Sequence, residues 1–232
     1  MFSKVRWLEG TANDPLFLCF DNEISKNNFI SIGFVEGNTI TDTDQIRSSG
    51  HVTGITPLGQ HSVAWCTSSG QLCCSKISPD FLKFCDYSNS PCGSPFAATS
   101  IAFSHDLEGI VVGSEDGIVR IFHHRDLRIL SSFIPQSRGS SISCVAFTGS
   151  SAQVITGTGS AIGIWDVRTS SSSFSIVCSS EIASCDADGF VVCSGRNDGI
   201  VDIWDLRFPK QQLFANRVHS EIVWDVRFHR PS

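Results

Sequence analysis

The side chains able to bind a metal or attack a substrate are ten cysteines, seven histidines and a set of aspartates placed beside Gly or Trp. Zinc sites need closely paired ligands, and disulfides need an oxidising setting. Cys19, Cys66, Cys73, Cys74, Cys85, Cys92, Cys144, Cys178, Cys185 and Cys193 contain no Cys-x-x-Cys pair. Several sit in apolar runs such as LFLCF and SISCVAF, where a thiol behaves as a small hydrophobe, so they are expected to be buried and reduced. His123 and His124 have no carboxylate or thiolate at a ligand spacing and read as a solvated loop. No Gly-x-Ser-x-Gly elbow, phosphate loop or paired-His motif is present. Asp116, Asp166, Asp198 and Asp205 all stand where a turn explains them. The expectation is therefore no enzyme, no cofactor, no metal and no small-molecule substrate.

Charge and hydropathy narrow the partners further. The net charge of −6 and pI near 5.6 argue against a phosphate-binding surface, which draws on clustered Lys and Arg. No window approaches the roughly 18 consecutive apolar residues of a membrane helix. MFSKVRWLEG lacks the apolar core of a signal peptide. An intracellular, soluble chain with no nucleic-acid contact and no membrane insertion is expected, its 41% hydrophobic content being enough for a large core.

The elements that would position these residues repeat along the chain. DGIVRIFHHRD (116–126), SAIGIWDVR (160–168) and DGIVDIWDLR (198–207) share a polar turn, alternating apolar residues, an aromatic, then Asp or His. KNNFISIGF (26–34) and SGQLCCSKI (69–77) are fainter copies, with Gly33 and Ser75 where the others carry Phe122, Trp165 and Trp204. Successive differences between those five numbers are 42, 47, 43 and 39 residues. That period suits two helices or four short strands. Runs of three to six β-branched or aromatic residues, separated by Gly, Ser, Asn and Asp, choose strands. Asp116-Gly117 and Asp198-Gly199 predict a tight hairpin turn between the second and third strands of a repeat.

Each repeat parses as an antiparallel four-stranded blade, and such blades bury their faces only against copies of themselves. The expected fold class is all-β, a β-propeller in a single domain over 1–232. Its blades cover approximately 4–49, 50–93, 94–137, 138–177 and 178–216, with a partial one at 217–232. TSSSSFS (169–175) is expected to be a flexible surface loop, and GITPLG (54–59) and NSPCGSP (89–95) turn-rich connectors.

Ile164-Trp165-Asp166 and Ile203-Trp204-Asp205, at blade spacing, resemble the WD-repeat family. The resemblance implies a buried set in each blade: a His before the first strand, a Ser or Thr in the second, the turn Asp and the third-strand Trp. No repeat here carries the whole set; the third has Ser114 and Asp116 without a His, and Phe122 for Trp. Among WD-repeat proteins, SKVRW, FDNEISKNNFIS, GSEDGIVRIF, GRNDGIVDIWDLR and HSEIVWDVRFHRPS resemble, in order and position, a nucleoporin of the Y-shaped outer ring of the nuclear pore. This implies a scaffold in the nucleus, at the pore and in mitosis at the kinetochore. Its partners would be other outer-ring nucleoporins on the short arm of the Y-complex.

Family propellers usually have six to eight blades, and seven would need about 290 residues. HSEIVWDVRFHRPS is thus expected to be the first strand of an incomplete sixth blade, as if a seven-bladed chain were shortened. Trp165 to Arg168 and Trp204 to Arg207 also resemble the box by which some propellers dock onto the adaptor of cullin-type ubiquitin ligases. Arg168 and Arg207 would be the partner-binding residues there.

Overall fold

The structure, a computed structural model, describes residues 2–7, 16–21, 28–36, 39–59, 61–80, 83–93, 95–135, 140–149 and 152–228. They form twenty strands in five antiparallel four-stranded sheets, and no helix among the described residues. The first sheet holds β1 (Phe2–Trp7), β2 (Leu16–Asp21), β3 (Asn28–Glu36) and β4 (Thr39–Ser48). The second holds β5 (Val52–Pro57), β6 (Ser62–Thr67), β7 (Gln71–Ile77) and β8 (Phe84–Pro91). Next come β9 (Ala98–Ser104), β10 (Gly109–Ser114), β11 (Val119–His123) and β12 (Ile129–Phe133). The fourth contains β13 (Ile142–Phe147), β14 (Gln153–Thr158), β15 (Ala161–Asp166) and β16 (Ser171–Val177). The fifth contains β17 (Ile182–Asp188), β18 (Val191–Arg196), β19 (Ile200–Asp205) and β20 (Gln212–Arg217). Within every sheet each strand pairs with the next in the chain.

The repeat is visible in the register. A shift in pairing with the fourth strand falls at Ile32/Gly33, Cys74/Lys76, Ile121/Phe122, Ile164/Trp165 and Ile203/Trp204. These bulges stand at the aromatic position of the repeated phrase, including its Gly33 and Ser75 variants. A bulge increases local twist, so five sheets share one kink at one place.

One expected loop is a strand, and two expected connectors are partly strand. Ser171–Val177 is β16, pairing with β15 from Asp166↔Ser171 to Ala161↔Val177, because backbone pairing asks nothing of the side chains and serines satisfy an exposed edge. GITPLG lies largely in β5, and Asn89 to Pro91 ends β8; Pro is tolerated at a strand end on the outer edge. The Asp-Gly turns are also longer than a two-residue hairpin. Only the glycines take positive φ, +76° at Gly117 and +83° at Gly199, while Asp116 and Asp198 each accept the amide of the residue two further on, Ile118 and Ile200.

The chain divides into two compact units, residues up to Ala98 and residues from Thr99 onward. In the first, Ile30 and Ile32 of β3 join Val52, Ile55, Val63, Trp65, Cys73 and Ile77 in one core spanning two sheets. In the second, one core runs from β10 and β11 into β13 and β14, and another from the fourth sheet into the fifth. Each core is therefore shared between neighbouring sheets. Burying each such aliphatic side chain contributes about 1.5–3 kcal/mol.

Glycines set the closeness of that stacking in the second unit. A Cβ built on Gly113 of β10 would lie 2.5 Å from Ile142 Cγ2, at the start of the next sheet. On Gly157 it would meet Ile182 Cγ2 at 3.0 Å, and on Gly195 it would meet Val223 Cγ1 at 2.6 Å. In each case the aliphatic residue that follows one sheet fills the place a glycine leaves open.

Residues 219–228 form no strand, contrary to the expected first strand of a further blade. They lie on β17 and β18 through isolated bonds: the Val223 amide donates to the Arg196 carbonyl (3.0 Å), Ser184 Oγ donates to the Val223 carbonyl (2.9 Å), and the Phe228 amide donates to Asp186 Oδ2 (2.9 Å). The physical reason is that a ladder needs a second strand beside it, and none flanks this segment among the described residues.

Candidate functional site

The two Trp-Asp phrases end β15 and β19. Asp166 Oδ1 accepts the amides of Arg168 (2.8 Å) and Thr169 (3.3 Å), and Asp205 Oδ1 accepts that of Arg207 (2.9 Å). Such side-chain-to-backbone bonds fix a turn. The proposed docking arginines then fold back on the same carboxylates. Arg168 reaches Asp166 at 3.3 Å; Arg207 grips Asp205 with Nε at 3.0 Å and a terminal nitrogen at 2.7 Å. Arg207 also lies 5.4 Å over the Phe190 ring. These arginine side chains, followed by the arginine amides, hold both carboxyls below the usual range, and Asp205 raises the Arg207 guanidinium further. Both arginines remain exposed, 74% and 59%.

The aromatic positions differ from sheet to sheet. Trp165 Nε1 donates to Thr156 Oγ1 (3.1 Å), and its ring stacks on Phe133 of the preceding sheet, 5.3 Å between centroids. Gly163 makes room, since a Cβ there would stand 2.5 Å from that indole nitrogen. Phe122 is fully buried. Trp204 is buried too, but neither its Nε1 nor Ser194 Oγ, at the register position of Thr156, has a hydrogen-bond partner among the described residues.

Two sheets that lack the implied His bury an arginine beside the turn Asp. In the third, Arg120 grips Asp116 with nitrogens at 3.3 and 2.8 Å and reaches Ser114 Oγ at 3.4 Å. In the fifth, Arg196 holds Asp198 through two bonds of 3.1 Å and Asp202 at 3.2 Å. The charges trade places. Arg120 and Asp202 are each third after the turn glycine, while Ser114 and Arg196 are each third before it. Burial pushes the Asp202 carboxyl up against the pull of Arg196, and burial, then Asp202, lifts the Cys178 thiol to about 11. Arg120, Arg196 and Asp202 were missed by sequence reasoning, although an ionisable residue inside an apolar third strand, at one fixed offset from the glycine, is a readable signal.

Nine described cysteines form no disulfide, and all but Cys85 are buried; Cys19 lies outside the residues whose side chains are described. Cys144 and Cys185, on the first strands of neighbouring sheets, hydrogen-bond thiol to thiol, and that bond with burial keeps Cys185 well above its ordinary value. Both belong to the buried core that the fourth and fifth sheets share. An open groove in the second unit, about 610 Å³, is lined by Thr99, Ser141, Ile142, Glu181, Asn197 and Trp224 among others. Asn197 Nδ2 donates to Glu181 Oε2 at 2.8 Å beside it, and Trp224 is 76% exposed.

No protein-family model and no curated protein matches the chain.

Proposed function

We propose that the chain is a WD-repeat β-propeller serving as a non-catalytic scaffold and protein-interaction subunit. The observation that carries this is the recurrence of one bulge at one register position in five sheets, accompanied by the repeated phrase. Repeats of that kind stack on one another and leave loops and rims for contacts. Exposed large apolar side chains support a binding role along the outer strand of the fifth sheet, on its flanks and beyond: Phe208, Leu213, Phe214, Val218 and Trp224 all face solvent.

The order of its less common phrases resembles the forty-three-kilodalton WD-repeat nucleoporin of animals. The chain is therefore assigned to the Y-shaped outer ring of the nuclear pore, at the nuclear envelope, with short-arm nucleoporins as partners. Support for nucleocytoplasmic transport, and a mitotic role at the kinetochore, follow from that membership. Docking to a cullin-ligase adaptor is the weaker reading, because Arg168 and Arg207 already pair with Asp166 and Asp205.

Affinity purification of the tagged chain from animal cells tests both. Outer-ring nucleoporins should be enriched, unchanged by Arg168→Ala with Arg207→Ala. Enrichment of the ligase adaptor, lost in that double variant, would overturn the assignment.

A further inference from the structure

Glu108 immediately precedes β10, opposite the end of β11, where Gly109 pairs with His123. Its backbone takes φ +47°, a left-handed conformation costly for a side-chain-bearing residue, and the turn that follows β11 is closed by Leu127 at φ +54°. This geometry gathers three side chains that sequence spacing kept apart. One ligand atom each of Glu108, His123 and His124 lies within 4.8 Å of the others. The carboxylate absent from the local spacing arrives from across the sheet.

The second layer prepares both imidazoles as ligands. His123 Nδ1 is 2.8 Å from Asp126 Oδ1, and His124 Nδ1 is 2.9 Å from the Glu108 carbonyl oxygen. An ionised carboxylate and a carbonyl only accept, so Nδ1 carries a proton in both rings, and in the neutral tautomer so fixed Nε2 keeps the lone pair a metal needs. His123 Nε2 faces Glu108 Oε2 at 3.8 Å. Arg125 holds the other oxygen, Oε1, at 2.9 Å, fixing the carboxylate without covering Oε2. The Phe103 ring stands edge-on to His124, 5.6 Å between centroids. A histidine whose far nitrogen is held by a carboxylate or carbonyl is the usual arrangement of a metal ligand.

We propose that Glu108, His123 and His124 form a zinc-binding site with Asp126 as the positioning residue of His123. Two imidazoles and one carboxylate with a further position left to water match the ligand types zinc takes. In a tetrahedral site with bonds near 2.0–2.1 Å the ligand atoms stand about 3.3 Å apart, so atoms that now lie within 4.8 Å of one another draw in on binding.

The test is calorimetric titration of the untagged, chelator-treated full chain with zinc chloride. One ion per chain should bind. His124→Ala and Glu108→Gln should weaken binding at least about tenfold, Asp126→Asn about 10–100-fold, and His51→Ala should leave it unchanged. Circular dichroism checks that each variant keeps its strand content. In the unaltered chain, zinc should shift the imidazole resonances of His123 and His124 alone, a readout independent of any variant's folding. No saturable binding, equal binding in His124→Ala, or shifts confined to other histidines would overturn the site.

Discussion

Gly113→Ala probes how closely the third and fourth sheets approach. The new methyl would meet Ile142 Cγ2 at 2.5 Å, Ile142 Cβ at 3.0 Å and Val145 Cγ1 at 3.1 Å. The first contact is impossible without movement; the other two relax by a few tenths of an ångström. Overpacking of this kind costs about 1–3 kcal/mol. Ile142→Ala alone removes a fully buried side chain and costs about 2–5 kcal/mol through lost burial and the cavity left behind. In the double variant the added methyl enters space that the isoleucine side chain vacated, so the two costs partly cancel. Coupling of about 1–2 kcal/mol in the favourable direction is expected for residues in contact. Urea unfolding of the four proteins, followed by tryptophan fluorescence, measures the cycle. Additivity within about 0.5 kcal/mol would refute a shared glycine socket.

Thr156→Val should cost about 1–3 kcal/mol by stranding the Trp165 indole N–H, whereas Ser194→Ala, whose hydroxyl has no hydrogen-bond partner among the described residues, should be nearly neutral; equal losses in urea unfolding would contradict the pairing. Arg196→Met leaves Asp202 buried without its cation and should cost about 3–5 kcal/mol, most of it recovered when Asp202→Leu is added; a double variant no more stable than the single would show the pair to be unimportant. At Asp198 burial acts upward, but the hydrogen bonds from Arg196 and Ile200 hold the carboxyl below its ordinary value. Its contribution is therefore complete above the unfolded value of about 3.9 and fades as pH falls through the folded one. The stability gap between the unaltered chain and Asp198→Asn should be constant above about pH 5 and narrow below about 4; a gap that widens in acid would reverse that sign.

Strand class and repeat length were legible because period-two runs of β-branched residues and a period near 40 are properties of the chain itself. Gly33 and Ser75 were placed correctly at the aromatic position despite having no aromatic ring, since the surrounding alternation carried the register. TSSSSFS misled because serine composition signals a loop, while an edge strand needs only backbone partners. HSEIVWDVRFHRPS misled in the opposite way, its alternation being strand-like with no strand to pair with among the described residues. The arginine networks were hidden by the assumption that family positions keep family residues; Arg120 and Asp202 show one position taking opposite charges. Glu108 was invisible beside His123 and His124 because strand pairing, not sequence distance, brings them together.

Whether the five sheets are copies of one blade arranged about a single axis is tested most directly by a crystal structure of the chain. β1, β5, β9, β13 and β17 should range side by side around that axis, with each bulge on the same flank. Sheets that do not range about one common axis would contradict the proposed propeller.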